Sequence, residues 1–135
     1  GADGNPIISF STGPPLDNDL RSVACTNPSC SSFNPPVTLG SGFDVSIAVG
    51  ANGNPVILHY DAATDAAKFT ACESVRCTSA ITATLEGTST PTFDASMTIG
   101  ADGDPIIAYY DATPGDLKVW ACGNALCNPF IKAGR

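Results

Sequence analysis

Methionine, tryptophan and histidine occur once each in this chain, as Met97, Trp120 and His59. One imidazole cannot supply a histidine-rich metal centre. Basic residues are also scarce: six Lys+Arg stand against thirteen Asp+Glu, a net charge of −7. An acidic chain without a basic cluster repels phosphate backbones and anionic lipid, which excludes nucleic acid as a partner. No apolar run approaches the roughly eighteen residues a spanning helix needs, which excludes membrane insertion. Charged residues are only 14% of the chain while hydrophobic ones are 43%, so it is not a disordered acidic tail. An initiator methionine and a signal peptide are missing, as expected of a processed or excised product. What is plentiful is glycine, with 13 residues, and proline, with 11. They interrupt every 3.6-residue apolar stripe and argue against a helical bundle. A length of 135 residues suffices for one domain with a sizeable core.

The chain repeats itself. Gly1-Ala2-Asp3-Gly4-Asn5-Pro6-Ile7-Ile8 returns as Gly50-Ala51-Asn52-Gly53-Asn54-Pro55-Val56-Ile57 and as Gly100-Ala101-Asp102-Gly103-Asp104-Pro105-Ile106-Ile107. Three further landmarks keep the same register. Phe43-Asp44-x-Ser46 matches Phe93-Asp94-x-Ser96, and Tyr60-Asp61-Ala62 matches Tyr110-Asp111-Ala112, where the first copy reads Ser11-Thr12-Gly13. Ala24-Cys25, Ala71-Cys72 and Ala121-Cys122 each have a second cysteine five positions on. Matched landmarks at a fixed period signal a repeat architecture with a unit of about 50 residues.

Each unit reads as four strands. Asp44–Val49 alternates and is β-rich, and Val56–Tyr60 is apolar on both faces, as a strand packed on both sides should be. Ala67–Cys72 is the third strand and Cys77 to Leu85 the fourth. Between the first two, Asn52-Gly53 predicts a two-residue type I′ turn. Gly87–Pro91 then connects to the next unit, and Pro14-Pro15 lengthens the first hairpin. The expected fold is all-β: propeller-type four-stranded antiparallel blades, with a β-solenoid-like array as the alternative. The units run over 1–40, 41–90 and 91–135, the first without its first strand, giving eleven strands where three whole blades need twelve. Such blades cannot close a ring alone. The edge at Ile7, Ile8 and Phe10 is therefore expected to meet another copy of the chain or a longer chain.

These residues resemble a group of secreted bacterial repeat proteins with propeller-like units. The third copy carries the likeness best, from Ser96-Met97-Thr98-Ile99-Gly100 through Tyr109-Tyr110-Asp111 to Asp116-Leu117-Lys118-Val119 and Cys122. The resemblance implies an exported β-propeller-like array and implies no activity.

The cysteines fall into three equal pairs, Cys25/Cys30, Cys72/Cys77 and Cys122/Cys127. Zinc would need two further ligands per pair, and one histidine cannot provide them. A disulfide pinning each third-to-fourth hairpin is the expected state, and it places the protein in an extracellular or cell-surface, oxidising compartment. The oxygens of Asp3, Asn52, Asp102 and Asp104 recur at one turn per unit. Asp and Asn before glycine are what a tight turn demands; calcium is the alternative, although the spacing is not that of an EF-hand. Asp61 and Asp111 stand at strand ends, positioned to cap the loops that follow.

No nucleophile elbow, phosphate loop or His-Glu-x-x-His is present. The carboxylates are repeated, whereas acid–base catalysis needs two groups in unlike environments. His59 occupies the slot of Phe10 and Tyr109 and reads as a packed residue. No enzyme is expected, and no cofactor. Tyr60, Tyr109, Tyr110 and Trp120, the last in the slot of Val23 and Thr70, are candidates for stacking sugars; packing between blades is their other role. The expected function is a structural repeat protein that self-associates through its open ends into a ring, fibre or surface assembly. A lectin-like propeller that binds glycans is the alternative.

Overall fold

Three antiparallel sheets follow one another along the chain. The computed structural model describes residues 1–13, 18–87, 94–111, 115–127 and 130–134. Pro14-Pro15, the connector at 88–91 and the side chain of Asp111 lie outside that description. The first sheet has three strands, β1 (Ile7–Thr12), β2 (Asp19–Ala24) and β3 (Val37–Ser41), in that order. The second has four, β4 (Phe43–Val49), β5 (Pro55–Asp61), β6 (Ala66–Cys72) and β7 (Ala80–Gly87), again in chain order. The third repeats it with β8 (Ala95–Ile99), β9 (Pro105–Asp111), β10 (Asp116–Cys122) and β11 (Phe130–Gly134). There is no helix among the described residues. In the repeat, β1 is the equivalent of β5 and β9, so the first sheet lacks a counterpart of β4 and β8.

Turn chemistry differs from expectation at the glycine-rich hairpins. Gly53 N–H donates to the Gly50 carbonyl at 2.9 Å, and Gly53 alone has positive φ, at 80°. A type I′ turn needs positive φ at both central residues, and Asn52 does not have it. The turn is therefore type I over Ala51-Asn52, followed by a left-handed glycine, the three-residue hairpin with a bulge. Asn52 Oδ1 accepts the Asn54 N–H at 3.0 Å, which takes up the side-chain oxygen within the turn. Asp3 and Asp102 accept the N–H groups of Asn5 and Asp104 in the same way. Pro55 and Pro105 open the following strands, where a missing N–H is tolerated.

The sequence places a strand from Cys77; the ladder begins instead at Ala80, which pairs with Cys72. Cys77 stands at φ 53° and donates its N–H to the Ser74 carbonyl, so it closes the turn before the strand. A further irregularity sits in β4. Asp44 has φ 51°, and the pairing with β5 shifts between Phe43 and Ser46. This bulge sets Phe43 edge-on to Tyr60, with ring centroids 5.0 Å apart.

Side chains alternate between the two faces of each strand. In β2, Leu20, Ser22 and Ala24 are buried while the residues between them are half-exposed, so this sheet buries one face. Every residue of β5 is buried, because the middle sheet is covered on both. β4 packs against β1 on one side and β8 on the other. Leu20 and Leu39 of the first sheet join Val45, Ile47, Ile57, Cys72 and Cys77 of the second in one cluster. A larger cluster joins the other face of the second sheet, including Val56, Leu58, Tyr60 and Phe69, to Met97, Ile107, Tyr109 and Trp120 of the third. Each fully buried aliphatic or aromatic side chain in these clusters contributes about 1.5–3 kcal/mol.

Candidate functional site

All three cysteine pairs are disulfide-bonded, with Cα separations of 5.0 Å for Cys25–Cys30, 4.8 Å for Cys72–Cys77 and 4.4 Å for Cys122–Cys127. Such bonds suit an oxidising compartment. The second cysteine of each pair is left-handed, at φ 53°, 53° and 55°. No helix among the described residues is long and apolar enough to cross a membrane. Nor do three His, Cys, Asp or Glu side chains gather there at metal-ligating distance.

Asp61, at the end of β5, ties two sheets and a loop together. Its Oδ1 accepts from the Ala63 N–H and from Ser41 Oγ at the end of β3, both at 3.0 Å. Its Oδ2 accepts from Thr64 Oγ1 and from Lys68 Nζ. Burial works to raise the carboxyl's pKa, but the Lys68 ammonium and the three other donors outweigh it and hold it at about 2. Asp61 thus caps the loop that follows it. Ser41 and Lys68 were not singled out in the sequence; the signal was a lone lysine inside the small and apolar run Ala66–Cys72.

His59 is 3% exposed. Its Nε2 shares a hydrogen bond with Thr70 Oγ1 at 3.1 Å, and Thr70 Oγ1 meets Thr82 Oγ1 at 2.8 Å. These three side chains form a polar column across β5, β6 and β7 on the face toward the first sheet. Among the described residues His59 Nδ1 has no hydrogen-bond partner; it lies against Gly42, where an added Cβ would come within 2.4 Å of it. Burial lowers the imidazole pKa to about 4, with Lys68 pushing the same way and Asp61 opposing.

Sugar stacking needs an exposed ring face. Tyr60, Tyr109 and Trp120 are 4%, 2% and 0% exposed, so packing between sheets accounts for them and corrects their candidacy. Tyr109 and Trp120 lie with ring centroids 4.3 Å apart. Tyr60 donates its hydroxyl to Asp65. Tyr110 alone of the four keeps an open face, 46% exposed. It lines an open depression of about 410 Å³ with Asp94, Ser96 and Leu117.

Two faces are uncovered by any other sheet among the described residues. On the third sheet Ile106, Tyr110 and Leu117 are exposed; their equivalents Val56, Tyr60 and Ala67 are buried beneath the third sheet. On the first sheet Ile8 is exposed and Phe10 half-exposed, whereas the equivalent Ile57 and His59 are buried. Among the described strands β1 also has one unpaired edge, its counterpart positions in β5 and β9 being paired on both sides. The chain matches no protein-family model and no curated protein.

Proposed function

We propose that the chain is an exported, non-enzymatic structural repeat protein, as its motifs' likeness to secreted bacterial repeat proteins implies. Its sheets act as propeller-type blades, and its open ends mediate self-association into a ring, fibre or surface assembly. One observation carries this reading. The same sheet-on-sheet packing occurs twice inside the chain and leaves, among the described residues, an apolar face at each end with no sheet on it. Large apolar faces rarely stay bare. Unlike faces at opposite ends give heterologous contacts, which close into a ring or extend into a filament according to the rotation per copy. The disulfides support an extracellular setting, and the sequestered His59 supports the absence of acid–base catalysis. Light scattering on the 135-residue chain tests the proposal: mass should rise with concentration, and a folded monomer at micromolar concentration would refute it.

Carbohydrate binding has one observation in its favour, the exposed Tyr110 beside Asp94 and Ser96. A glycan array decides it: binding abolished by Tyr110→Ala supports a lectin, and silence on the array refutes one.

A further inference from the structure

We infer that the chain docks head to tail on a second copy of itself, with Ala101 of one copy seated on Gly4 of the next. Inside the chain, the alanines of the first two Gly-Ala-Asx-Gly turns already sit on the left-handed glycine of the following turn. A Cβ built on Gly53 would lie 2.6 Å from Ala2 Cβ, and one on Gly103 would lie 2.9 Å from Ala51 Cβ. Side chains do not approach so closely, so both glycines serve the seat as well as the turn, at φ 80° and 88°.

The series has two unmatched members. Ala101, exposed like Ala2 and Ala51, has no turn beyond it among the described residues. Gly4 has the same left-handed backbone, φ 78°, and its Cβ position meets nothing within 4 Å. Gly4 is correspondingly exposed, where Gly53 and Gly103 are half-buried. Seats run from the alanine of one unit to the glycine of the next, twice in the same direction. Ala101 of one copy onto Gly4 of a second copy continues that direction. The faces behind the turns agree. Ile8 and Phe10 hold the positions of Ile107 and Tyr109, which pack on Val56, Leu58 and Tyr60. The equivalents Ile106, Ala108 and Tyr110 form the opposite open face. A second copy is the partner because knob and cradle are both on this chain. The inference rests on the self-association proposed above and adds its polarity and register.

Sedimentation velocity on the 135-residue chain and two variants tests it. Ala101→Trp oversizes the knob. Gly4→Asn fills the cradle with a residue that tolerates left-handed backbone. Both positions are in exposed turns, and circular dichroism with disulfide mapping reports folding. Each variant alone should associate at least about tenfold more weakly than the parent chain. Mixed together they should form a 1:1 dimer, because the intact Ala101 of one meets the intact Gly4 of the other. Should Gly4→Asn misfold, Ala101→Gly, which only removes the knob, should also weaken assembly. Equal assembly of parent and variants overturns the register and leaves self-association standing. Weakened variants that fail to pair overturn the polarity, and a parent chain that stays monomeric overturns both proposals.

Discussion

The two internal sheet-on-sheet interfaces have one geometry and opposite chemistry. Between the first and second sheets, the slot on β5 holds His59 and the slot on β6 holds Thr70; the two are hydrogen-bonded to each other, and Thr70 also to Thr82. Between the second and third, the same slots hold Tyr109 and Trp120, in a tilted ring contact with centroids 4.3 Å apart. One repeat position thus accepts either a polar pair or an aromatic pair. The backbone frame sets where the interface lies, and the slot residues set its response to conditions.

Trp120→Ala should give the largest effect. It empties the centre of the aromatic interface, and losses of about 3–5 kcal/mol are usual for such a truncation. Denaturant melts should show it, with protection from hydrogen exchange lost first in β8 and β9.

Acid should act on the other interface. The unfolded chain protonates His59 near pH 6.5, the folded chain only near 4. Between these values the unfolded state binds more protons. The stability His59 contributes is therefore fully present above about 6.5 and falls as pH drops toward 4, by about 3 kcal/mol in all. Asp61 extends the loss at lower pH: its contribution is present above 3.8 and disappears as pH falls toward about 2. Trp120 is the only tryptophan and reports on the aromatic interface alone. Loss of protection in β3 and β4 should precede any shift in its fluorescence. His59→Phe, the residue type already present at Phe10, should flatten the slope between pH 6.5 and 4. An unchanged slope would place the acid sensitivity elsewhere.

Removing one disulfide sharpens the comparison further. Cys72 and Cys77 belong to the polar interface's cluster, and Cys122 and Cys127 to the aromatic one's. Replacing either pair with serine should cost about 2 kcal/mol for so short a loop. Thermal melts of the two variants should then differ in which sheet loosens first. Ser41→Ala is the mildest probe. It removes one hydrogen bond to Asp61 across the first interface, at 3.0 Å, and should lower stability by about 1 kcal/mol with no effect on Trp120 fluorescence.

Much of this molecule was legible because it is written nearly three times. Recurring landmarks located the strands, the cysteine pairs and the Asp61 cap without any contact information. The type of hairpin was not legible, since Asn-Gly suits both a type I′ turn and a type I turn followed by a left-handed glycine. Burial of the tyrosines was not legible either. Tyr60 and Tyr110 occupy the same place in their units, and only the presence of a neighbouring sheet buries the first and leaves the second open. The alanine seats were hidden for a similar reason. Turn geometry already explains the glycines of Gly-Ala-Asx-Gly, so their second role, receiving the alanine of an adjacent turn, leaves no separate trace in the sequence.

The left-handed second cysteines impose a rule on how such units can diverge. Cys30, Cys77 and Cys127 each hold a backbone that costs an ordinary L-residue roughly 1–2 kcal/mol, and the covalent link outweighs that cost. A unit that loses its first cysteine is therefore left with an orphaned residue in an unfavourable conformation. The economical escape is a second change, to glycine or asparagine, at the other position. Drift away from the bonded state should proceed in pairs, with serine the poor intermediate. A library randomising Cys77 on a Cys72→Ser background should return glycine and asparagine ahead of every other residue.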